Sequence, residues 1–367
     1  MCVSYINKDV LVVQPFKMWE GHYSKYVNSF YEVGACEVSH DTVPILLKLL
    51  TFKSKPKNFF IFYLARFLNV FFYNLYATYK LDKNSRLLLL EFEPIAFFIV
   101  RIILGKNKVY QTVHSINRKR YSSFIKEGFS LLQRLIFKVT LRLVSFFDLY
   151  SSSTTFIVHS VHHQTQLKML VGNSEVVVID YPCPKPKSDC SYRHDLKGDT
   201  VSILIFGVVR EDKGIYEFLE AYNSIGISPN YIFRVVGKIE DKRIKENNYP
   251  GIEFINSYIP DSAVDSIFHD SDILLLPYGD SYTGGAGPMK DAASYALPVL
   301  CSNIAIFREV LEENNFGLLI EDFYNLHFYI DKLVSKYQKF SKNALVYSTN
   351  NNWSTLAKNY IKIIKSN

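Results

Sequence analysis

The sequence predicts an α/β protein made of two doubly wound domains. Short apolar runs rich in β-branched residues alternate with longer stretches of helical periodicity, which is typical of a parallel sheet covered by helices. The rhythm is interrupted from Tyr181 to Asp199, where three prolines stand among polar residues in YPCPKPKSDCSYRHDLKGD, and it then begins again. Because a chain of 367 residues is long enough for two hydrophobic cores, we interpret the interruption as a linker between two domains.

The first domain is expected to cover residues 1–182. Its opening strand, VLVVQPF from Val10, leads into a loop at residues 17–21 and a helical pattern at residues 22–33. The later apolar runs of this domain are short and aliphatic, which predicts buried parallel strands. These runs are RLLLLEF from Arg86, VYQTVHS from Val109, FIVHS from Phe156 and EVVVIDYP from Glu175.

A linker is predicted at residues 183–199, and a second series of strands and helices at residues 200–345. The final segment, residues 346–367, contains the amphipathic pattern WSTLAKNYIKIIKS, and we expect its helix to pack across the junction of the domains. Ligands of such folds bind beyond the carboxyl ends of the strands. The strands predicted for the second domain are VSILIFG from Val201, NYIFRVVG from Asn230, GIEFINSYI from Gly251, DILLLPY from Asp272 and LPVLCS from Leu297.

The composition indicates a globular protein that suits a reducing compartment. Hydrophobic residues make up 48% of the chain and charged residues 21%, which excludes a largely disordered protein. The five cysteines are odd in number and form no CxxC pair, which argues against a disulfide framework or a zinc site. No apolar leader stands at the start, and the most apolar run is interrupted by Arg66, Asn69 and Asn74. Neither a signal peptide nor a membrane-spanning helix is therefore expected.

A glycine-rich segment is the most informative part of the sequence. In DILLLPYGDSYTGGAGPMKDAASYALP an apolar strand is followed by a glycine loop (residues 277–287) and then by a helical pattern. The residues Gly284, Gly285 and Gly287 permit backbone amides to approach a ligand closely. Pro288 suits the first helical position, so that free N–H groups point into the loop. The arrangement predicts a site for phosphates, although an ordinary strand-to-helix connection has the same pattern.

Two cations stand on a second turn, earlier in the chain. In ILIFGVVREDKGIYEFLEAY the apolar strand ends at Gly207, Arg210 and Lys213 follow, and Gly214 opens an amphipathic helix. Two cations at the carboxyl end of a strand suit a diphosphate, because arginine binds through a bidentate fork and lysine adds a point charge. The alternative is a solvated turn in which both cations pair with the two acidic residues between them. In combination with the glycine loop, the turn favours a phosphate site.

These motifs resemble those of the GT-B-fold glycosyltransferases, most of all the nucleotide-sugar-dependent family 4. The spacing Gly207-x5-Lys213-Gly214 is similar to that family's phosphate-binding turn, and the arginine follows the subgroup pattern FG-x-x-R-x-x-KG. The helix DAASYALPVL and the downstream FREVLEENNFGLLIED also follow in the family's order. The similarity is strong over residues 200–325 and looser before them. It implies the GT-B fold, in which two Rossmann-like domains face a central cleft.

The resemblance implies that a sugar nucleotide lies against the second domain. Arg210 and Lys213 would hold its diphosphate and neutralise the charge that grows on the leaving group as the glycosidic bond breaks. Backbone amides of the glycine loop would contact sugar and phosphate. The residues that the resemblance assigns to donor binding are Gly21, Gly207, Thr283, Gly284, Gly285, Ala286, Gly287, Asp291 and Glu309.

Two carboxylates of the family's pattern differ in this chain. Relatives carry Glu, seven residues and Glu around the glycine loop, whereas here Thr283 takes the first place and Asp291 the second. Asp291 either accepts hydrogen bonds from ribose hydroxyls or is only a charge at a helix N-terminus. Thr283 supplies no carboxylate to the sugar, which leaves the donor open, and Asp280 is a candidate substitute. Glu309 resembles a donor-contacting glutamate, and the alternative is an ion pair with Arg308.

Histidines of the first domain are further candidates. His114 ends a predicted strand, and in similar enzymes a histidine at this place faces the transferred sugar, where a neutral imidazole hydrogen-bonds a hydroxyl or moves a proton. The alternative is a histidine that caps a loop. His22, after the first strand, is a second candidate. His159, His162 and His163 have no fourth ligand at zinc spacing, so no structural metal is expected.

The positive charge is concentrated in the first half of the chain. Of 42 Lys+Arg and 35 Asp+Glu, 22 and 12 lie in residues 1–180, which predicts an anionic partner there. Residues 121–147 have a helical pattern of basic and apolar residues, typical of a helix resting on an anionic membrane. The alternative is an amphipathic core helix with a solvated cationic stripe. The cations expected on the acceptor or membrane side are Arg118, Lys119, Arg120, Lys126, Arg134, Lys138 and Arg142.

The sequence therefore predicts a glycosyltransferase. Family likeness implies transfer of a hexose-type sugar, with retention, from a UDP- or GDP-linked donor to a glycan or lipid-linked oligosaccharide, without a metal or another cofactor. The expected setting is bacterial surface polysaccharide synthesis (lipopolysaccharide or capsule), in the cytoplasm at the inner face of the cell membrane. The alternatives are a sugar-nucleotide epimerase and a non-catalytic partner subunit, the latter because Thr283 replaces a carboxylate. No nucleic-acid recognition motif accompanies the positive charge, so no nucleic-acid partner is expected.

Overall fold

The structure, a computed structural model, contains two compact units. The first comprises Met1–Tyr181 together with Trp353–Asn367, and the second comprises Pro182–Asn352, so the second unit is inserted into the sequence of the first. The structure describes residues 7–19, 23–39, 41–82, 85–104, 107–114, 116, 124–148, 153–185, 196, 200–226, 228–282, 284–285 and 287–366.

The first unit is built on one parallel sheet. Its strands are β1 (Asn7–Val13), β2 (Ala35–Val38), β3 (Arg86–Leu89), β4 (Val109–Thr112), β5 (Thr154–Val158) and β6 (Glu175–Val178). They are hydrogen-bonded in the order β2-β1-β3-β4-β5-β6, and every pair is parallel. The direction of winding reverses between β1 and β3, which makes the unit doubly wound.

Helices cover both faces of this sheet. Those described before residue 181 are α1 (Tyr23–Glu32), α2 (Ile45–Leu49), α3 (Phe59–Lys80), α4 (Pro94–Leu104), α5 (Phe124–Asp148) and α6 (Val161–Val171). The helices α3 to α6 share one core with the sheet, in which Tyr73, Phe97 and Phe156 are buried, and α1 belongs to the core of the other face. Burial of each large apolar side chain contributes about 1.5–3 kcal/mol, so these two cores hold the layers together.

By length and composition, α3 is the one helix among the described residues that is long and apolar enough to cross a membrane. Its polar side chains are nevertheless used within the first unit. Asn69 is buried, accepts a hydrogen bond from the Phe52 amide at 2.7 Å and donates one to the Phe52 carbonyl at 2.9 Å. Arg66 donates to Glu91 at 2.9 Å. These bonds hold one face of α3 against the unit, because buried polar groups need such partners.

The second unit repeats the doubly wound plan. Its strands are β7 (Val201–Phe206), β8 (Tyr231–Val236), β9 (Ile252–Ile255), β10 (Ile273–Leu276), β11 (Val299–Ser302) and β12 (Gly317–Ile320). They form a parallel sheet in the order β12-β11-β10-β7-β8-β9, which reverses between β7 and β10. Its helices are α7 (Ile215–Ile225), α8 (Asp261–His269), α9 (Gly287–Ser294), α10 (Ala305–Asn314), α11 (Leu326–Val334) and α12 (Tyr337–Asn350).

The final helix, α13 (Trp353–Ser366), returns to the first unit. It packs beside α1, and the hydroxyl groups of Tyr360 and Tyr26 lie 2.7 Å apart in a buried hydrogen bond. The preceding helix α12 runs to Asn350, so the predicted boundary at residue 346 falls inside α12 and the break between the helices lies at residues 351–352. We therefore place α13 in the first unit, where sequence analysis expected a helix across the domain junction.

The predicted fold class, two doubly wound α/β domains, is confirmed by the two parallel sheets. The strands β2 and β12 were not predicted as strands, and each lies at an edge of its sheet. Within the predicted linker, Cys183 is buried in the second unit and donates its N–H to the Asn351 carbonyl at 2.7 Å. Residues 186–195 and 197–199 of the linker lie outside the described residues.

Candidate active site at the carboxyl ends of β7 and β10

The two motifs singled out in the sequence meet at one edge of the second sheet. The strands β7 and β10 are paired neighbours, and the strand order reverses between them. In doubly wound sheets ligands bind in the crevice that opens at this reversal, beyond the carboxyl ends of the strands. The cationic turn (residues 207–214) follows β7, and the glycine loop follows β10. The topology thus places both motifs where a ligand is expected.

The cationic turn contacts the glycine loop through Gly214. This residue has a φ of 60° and stands between a short 3₁₀ turn, Glu211–Lys213, and α7. A Cβ atom at this position would overlap the carbonyl oxygen of Pro277. Gly279 also donates its N–H to the carbonyl of Asp212 at 3.3 Å. Only glycine permits both the left-handed backbone and this close contact, so Gly214 holds the two segments together.

Lys213 is a buried cation near the start of α9. The residue is 6% exposed. A Cβ atom on Gly207 would lie 3.2 Å from Nζ of Lys213 and 3.9 Å from Cγ of Pro288, so the ammonium lies beside Gly207 at the end of β7, and the first turn of α9 also approaches Gly207. Nζ also lies 5.2 Å from the centroid of the Tyr278 ring. Among the residues that the structure describes, no acidic side chain forms an ion pair with Lys213.

The electrostatics of Lys213 indicate an anion site. Burial, followed by the nearby charge of Arg210, lowers the pKa of Lys213 to about 8, and Asp212 opposes this only in part. A buried charge without a counter-ion is costly, and a bound anion would remove that cost. The arrangement therefore suits a ligand that brings negative charge to this edge of the sheet.

Arg210, in contrast, has an acidic partner. Its Nε and one terminal nitrogen donate to the two carboxylate oxygens of Asp212, each at 3.0 Å. Burial lowers the pKa of Arg210, but the hydrogen bond and charge of Asp212 outweigh this and raise the pKa above its ordinary value. For Arg210, the structure therefore agrees with the alternative in which a cation of the turn pairs with an acidic residue of the same turn. It leaves Lys213 as the cation that a ligand would reach.

The glycine loop leads into the N-terminus of α9. The N–H of Tyr282 donates to the Gly279 carbonyl at 2.9 Å and turns the chain back. The helix begins at Gly287, so Pro288 stands one place later than predicted, still within the first turn. Free N–H groups at a helix start carry partial positive charge, which adds to that of Lys213. Of the other loop residues predicted in the site, Gly284 and Gly285 are described, whereas Thr283 and Ala286 lie outside the described residues.

Sequence analysis did not predict the aromatic cluster next to Lys213. The ring centroids of Tyr278 and Tyr282 are 4.5 Å apart, and those of Tyr278 and Phe307 are 5.4 Å apart. Burial raises the pKa of Tyr278 well above its ordinary value, so this side chain stays neutral. An aromatic face attracts a cation, which helps to hold Lys213 in place. The segment PYGDSY shows two tyrosines after a strand, but nothing in the sequence marks Phe307 as their neighbour.

The two predicted carboxylates of this unit lie on separate helices. Asp291 is half-buried in α9, and Glu309 is half-buried in α10. Arg308, the alternative partner of Glu309, donates instead to the Asn303 side chain at 2.8 Å. Asp280 lies in the glycine loop and is exposed. The donor contacts of these residues stay predictions.

The chain contains one Asp-x-Asp triplet, Asp270–Asp272. It precedes β10 and so lies at the amino edge of the sheet, opposite to the cationic turn. Asp272 is buried and accepts a hydrogen bond from the Ser202 N–H at 2.9 Å, so the triplet has a structural role at the start of β10. In the described part of the chain, no group of three or more His, Cys, Asp and Glu side chains is arranged to hold a metal ion.

Predicted residues of the first unit lie at the carboxyl end of its own sheet. His114 stands two residues after β4, with Nε2 2.9 Å from the Leu90 carbonyl oxygen and Nδ1 3.1 Å from Nε2 of His159. Both ring nitrogens of His114 are therefore used within the unit, and a substrate hydroxyl would have to displace one of these bonds. Outside the described residues lie Gly21, His22, Arg118, Lys119 and Arg120, and also the side chain of Lys126.

The helix α5 is a core helix that carries cations and apolar side chains on its outer face. Leu141 and Val144 are buried in the core of the unit. Lys138 and Arg142 are exposed, and Arg134 is half-buried. The exposed apolar side chains of the helix are Leu131, Leu132, Leu135, Val139, Leu143 and Phe146. The outer face therefore combines both features that the sequence predicted for a membrane-binding helix.

Comparisons with known proteins agree with this geometry. Residues 191–365 match the family described as Glycosyl transferases group 1. No curated protein sequence matches the chain. The chain is similar to sucrose-phosphate synthase from Thermosynechococcus elongatus (14% identity, 98% of this chain and 99% of that chain covered, TM-score 0.66). It is also similar to α,α-trehalose-phosphate synthase from Burkholderia vietnamiensis (10%, 98% and 100%, TM-score 0.64).

A third similar structure is HepE from Anabaena in complex with UDP and glucose (16% identity, 98% of this chain and 100% of that chain covered, TM-score 0.61). Because these identities are low, the structures show the fold alone, and that fold is GT-B. The family match covers residues 191–365, a range that contains the cationic turn and the glycine loop. Together, the family match over residues 191–365 and the GT-B fold support a glycosyltransferase of the GT-B type.

Proposed function

We propose that this glycosyltransferase transfers a hexose-type sugar from a UDP- or GDP-linked donor to a glycan or lipid-linked oligosaccharide. The proposal depends on one observation: Lys213 is a buried cation without an acidic ion-pair partner among the described residues, and it lies beside Gly207 at the end of β7, which the first turn of α9 also approaches. A diphosphate suits this position, because its oxygens accept bonds from an ammonium group and from helix N–H groups. The similarity to HepE, whose structure is a complex with UDP and glucose, supports a nucleotide-sugar donor.

Lys213 stabilises the negative charge that develops on the diphosphate as the glycosidic bond breaks, and Arg210 adds to this if it exchanges its bonds to Asp212 for bonds to the phosphate. The leaving phosphate takes the proton of the acceptor hydroxyl, so transfer with retention needs no dedicated protein base. His114 is assigned to the sugar side of the reaction. The family likeness supports a reaction without a divalent metal or another cofactor.

Thermal unfolding with UDP, GDP, CMP and dTDP tests the donor assignment. We expect UDP or GDP to raise the unfolding midpoint, since a ligand that binds only the folded state stabilises it. With the matching sugar nucleotide, we expect release of the nucleotide only when membrane extract supplies an acceptor. Release without an acceptor would favour the epimerase alternative. No response to any nucleotide would favour a non-catalytic partner subunit.

The affinity for UDP or GDP should weaken above about pH 8. The pKa of Lys213 is lowered to about 8 in the free protein, so its ammonium loses its proton above that pH, while a bound diphosphate favours the charged form. Binding then takes up a proton, and the Kd rises by up to about tenfold per pH unit. Calorimetric titrations at several pH values measure this slope. Lys213→Arg stays charged and should remove it, and equal slopes in both proteins would contradict the assignment.

We place the reaction in bacterial surface polysaccharide synthesis, at the cytoplasmic face of the cell membrane. The first unit has surfaces that suit an anionic bilayer. Residues 42–81 contain no Asp or Glu. Within this stretch the exposed apolar residues of α2 include Ile45, Leu46 and Leu49, and the exposed lysines are Lys53, Lys55, Lys57 and Lys80. Mixed apolar and cationic surface binds membranes through burial and charge attraction together, and α5 adds a second surface of the same kind.

Charge reversal on α5 tests this location. The variant with Lys126, Arg134, Lys138 and Arg142 changed to Glu should lose most of its binding to liposomes that contain anionic lipid, since each basic residue near such a surface contributes about 1 kcal/mol. Cosedimentation measures the bound fraction. Unchanged binding would refute the assignment. The matched control reverses four exposed lysines of the second unit and should bind like the wild type; these are Lys332, Lys336, Lys339 and Lys342.

A further inference from the structure

His114 and His159 stand side by side at the carboxyl ends of β4 and β5. These strands pair in parallel with Thr112 opposite Ile157, so the register brings the two histidines opposite each other. Nε2 of His159 lies 3.1 Å from Nδ1 of His114, and the ring centroids are 5.0 Å apart. This distance is that of a hydrogen bond between the two imidazoles.

The other ring nitrogen of each histidine faces a backbone carbonyl oxygen. Nε2 of His114 lies 2.9 Å from the oxygen of Leu90, and Nδ1 of His159 lies 2.8 Å from the oxygen of Ile179. A carbonyl oxygen only accepts hydrogen bonds, so both of these nitrogens carry a hydrogen. In two neutral rings the remaining nitrogens, which face each other, would then both present lone pairs. One additional proton is needed to make an N–H···N bond between them.

We propose that His114 and His159 hold one extra proton between them, so that the pair carries a single positive charge. His159 is then a positioning residue, because it fixes both the orientation and the protonation of His114. The charge belongs to the pair, and loss of the proton breaks the bond between the rings. The proposal rests on the proposed function only in assigning His114 to the sugar side of the reaction.

The groups around the pair are compatible with this charge. Oε1 of Glu91 lies 3.8 Å from Nε2 of His114, while its other oxygen accepts a hydrogen bond from Arg66 at 2.9 Å. The hydroxyl of Tyr26 lies 3.5 Å from Nε2 of His159. Burial raises the pKa of Tyr26 well above its ordinary value, so it contributes no charge. Among the described residues, the titratable groups that these contacts place around the pair include Glu91, Arg66, Tyr26, Tyr360 and Tyr181.

The extra proton changes what His114 can do chemically. In the protonated pair the ring nitrogens either carry a hydrogen or accept the shared one, so neither ring is ready to act as a general base. The pair instead supplies fixed positive charge at the carboxyl edge of the first sheet. Such charge stabilises negative charge on a nearby oxygen, which is the contribution that preorganised groups make to a transition state.

Nitrogen NMR of the full chain, labelled with ¹⁵N-histidine, tests the proposal. Near neutral pH the wild type should show hydrogens on both carbonyl-facing nitrogens and a third one shared by the other two. His159→Gln is the diagnostic variant, because its amide N–H can donate to Nδ1 of His114 and the extra proton is no longer required. In this variant His114 should be neutral, with an acceptor Nδ1, and should lose its positive charge at a lower pH than in the wild type.

His162→Gln is the matched control. His162 lies on α6 and is hydrogen-bonded to Gln166 at 2.8 Å, so its replacement should leave the His114 signals unchanged. Two neutral rings in the wild type would overturn the proposal, and so would the same His114 titration in the wild type and in H159Q. The wild-type spectrum alone tests whether the pair holds the extra proton, even if a variant fails to fold. Because these signals need no glycosyl transfer, failure of the proposed function would be recognised separately.

Discussion

Lys213→Met is expected to raise the Kd for UDP or GDP by about 100-fold or more, because the variant loses the charged contact to the diphosphate. The fold should gain stability at the same time. Methionine keeps an unbranched apolar chain of similar length, but it removes a charge whose pKa is lowered from 10.5 to about 8, mainly by burial. That difference corresponds to about 3 kcal/mol at neutral pH, reduced by loss of the contact with the Tyr278 ring.

The sign of this stability effect depends on pH. The folded state disfavours the charged form of Lys213, so its cost is fully present below about pH 8 and disappears as the pH rises towards 10.5. The stability advantage of Lys213→Met should therefore shrink over that range. Denaturant unfolding at several pH values, together with calorimetric binding, measures both effects. Unimpaired nucleotide binding by the variant would contradict the proposed diphosphate site.

A second buried lysine of the same unit provides the control for Lys213→Met. Lys290 is 5% exposed, donates a hydrogen bond to the Tyr347 hydroxyl and lies 4.7 Å from the centroid of that ring. Lys290→Met removes a partnered buried cation, so it should destabilise the fold by about 1–3 kcal/mol. Nucleotide affinity should change little. The two variants have the same substitution and opposite expected results, which separates a binding lysine from a structural one.

Gly214→Ala is expected to abolish nucleotide binding and to lower the free energy of unfolding by about 2–4 kcal/mol. The left-handed backbone, with a φ of 60°, costs about 1 kcal/mol for alanine, and overlap of the new Cβ with the Pro277 carbonyl adds about 1–3 kcal/mol. Relief of the overlap would move the cationic turn away from the glycine loop. Denaturant unfolding measures the stability, and the Kd for UDP or GDP measures the site.

Gly226→Ala is the matched control for this substitution. Gly226 has a similar positive φ of 57°, although its ψ of 90° differs from the 16° of Gly214, and nothing lies within 4 Å of the position of its Cβ. Alanine there should cost about 1 kcal/mol and leave nucleotide affinity unchanged. Equal losses in both variants would show that backbone conformation alone matters, and that the contact between Gly214 and Pro277 does not position the site.

Much of the fold follows from the sequence, because short apolar runs separated by longer amphipathic stretches leave few arrangements other than parallel sheets with helices. The strands that escaped prediction, β2 and β12, have four residues each. The predicted strand β10 is equally short, but all four of its residues are apolar and buried, so it is recognised as a continuous apolar run. The burial of β2 and β12 varies along the strand, with half-buried residues in the middle, since each lies at a sheet edge. The segments β2 and β12 are recognised as strands only through their hydrogen bonds to the neighbouring strand, which the sequence does not show.

The sequence predicted which two segments form the candidate site, but it did not predict which of the site's cations forms an ion pair. Spacing and strand order indicated that the cationic turn and the glycine loop would meet. The sequence does not tell which of the acidic residues beside Arg210 and Lys213 forms an ion pair, because that depends on side-chain directions in the turn. The pairing of His114 with His159 had a visible signal in the similar strand endings TVHS and FIVHS. Predicting the contact from these endings would also have required the register of β4 against β5.

The return of α13 to the first unit has a consequence for biosynthesis. On the ribosome, residues 182–352 emerge before residues 353–367, so the inserted unit is able to close its sheet while its host is still incomplete. Until α13 is synthesised, the core positions of Leu356, Ala357 and Tyr360 are unfilled, and the nascent first unit exposes apolar surface beside α1. A chain truncated after residue 352 would therefore contain a complete second unit and an incomplete first unit. The exposed apolar surface of the first unit would favour binding by chaperones.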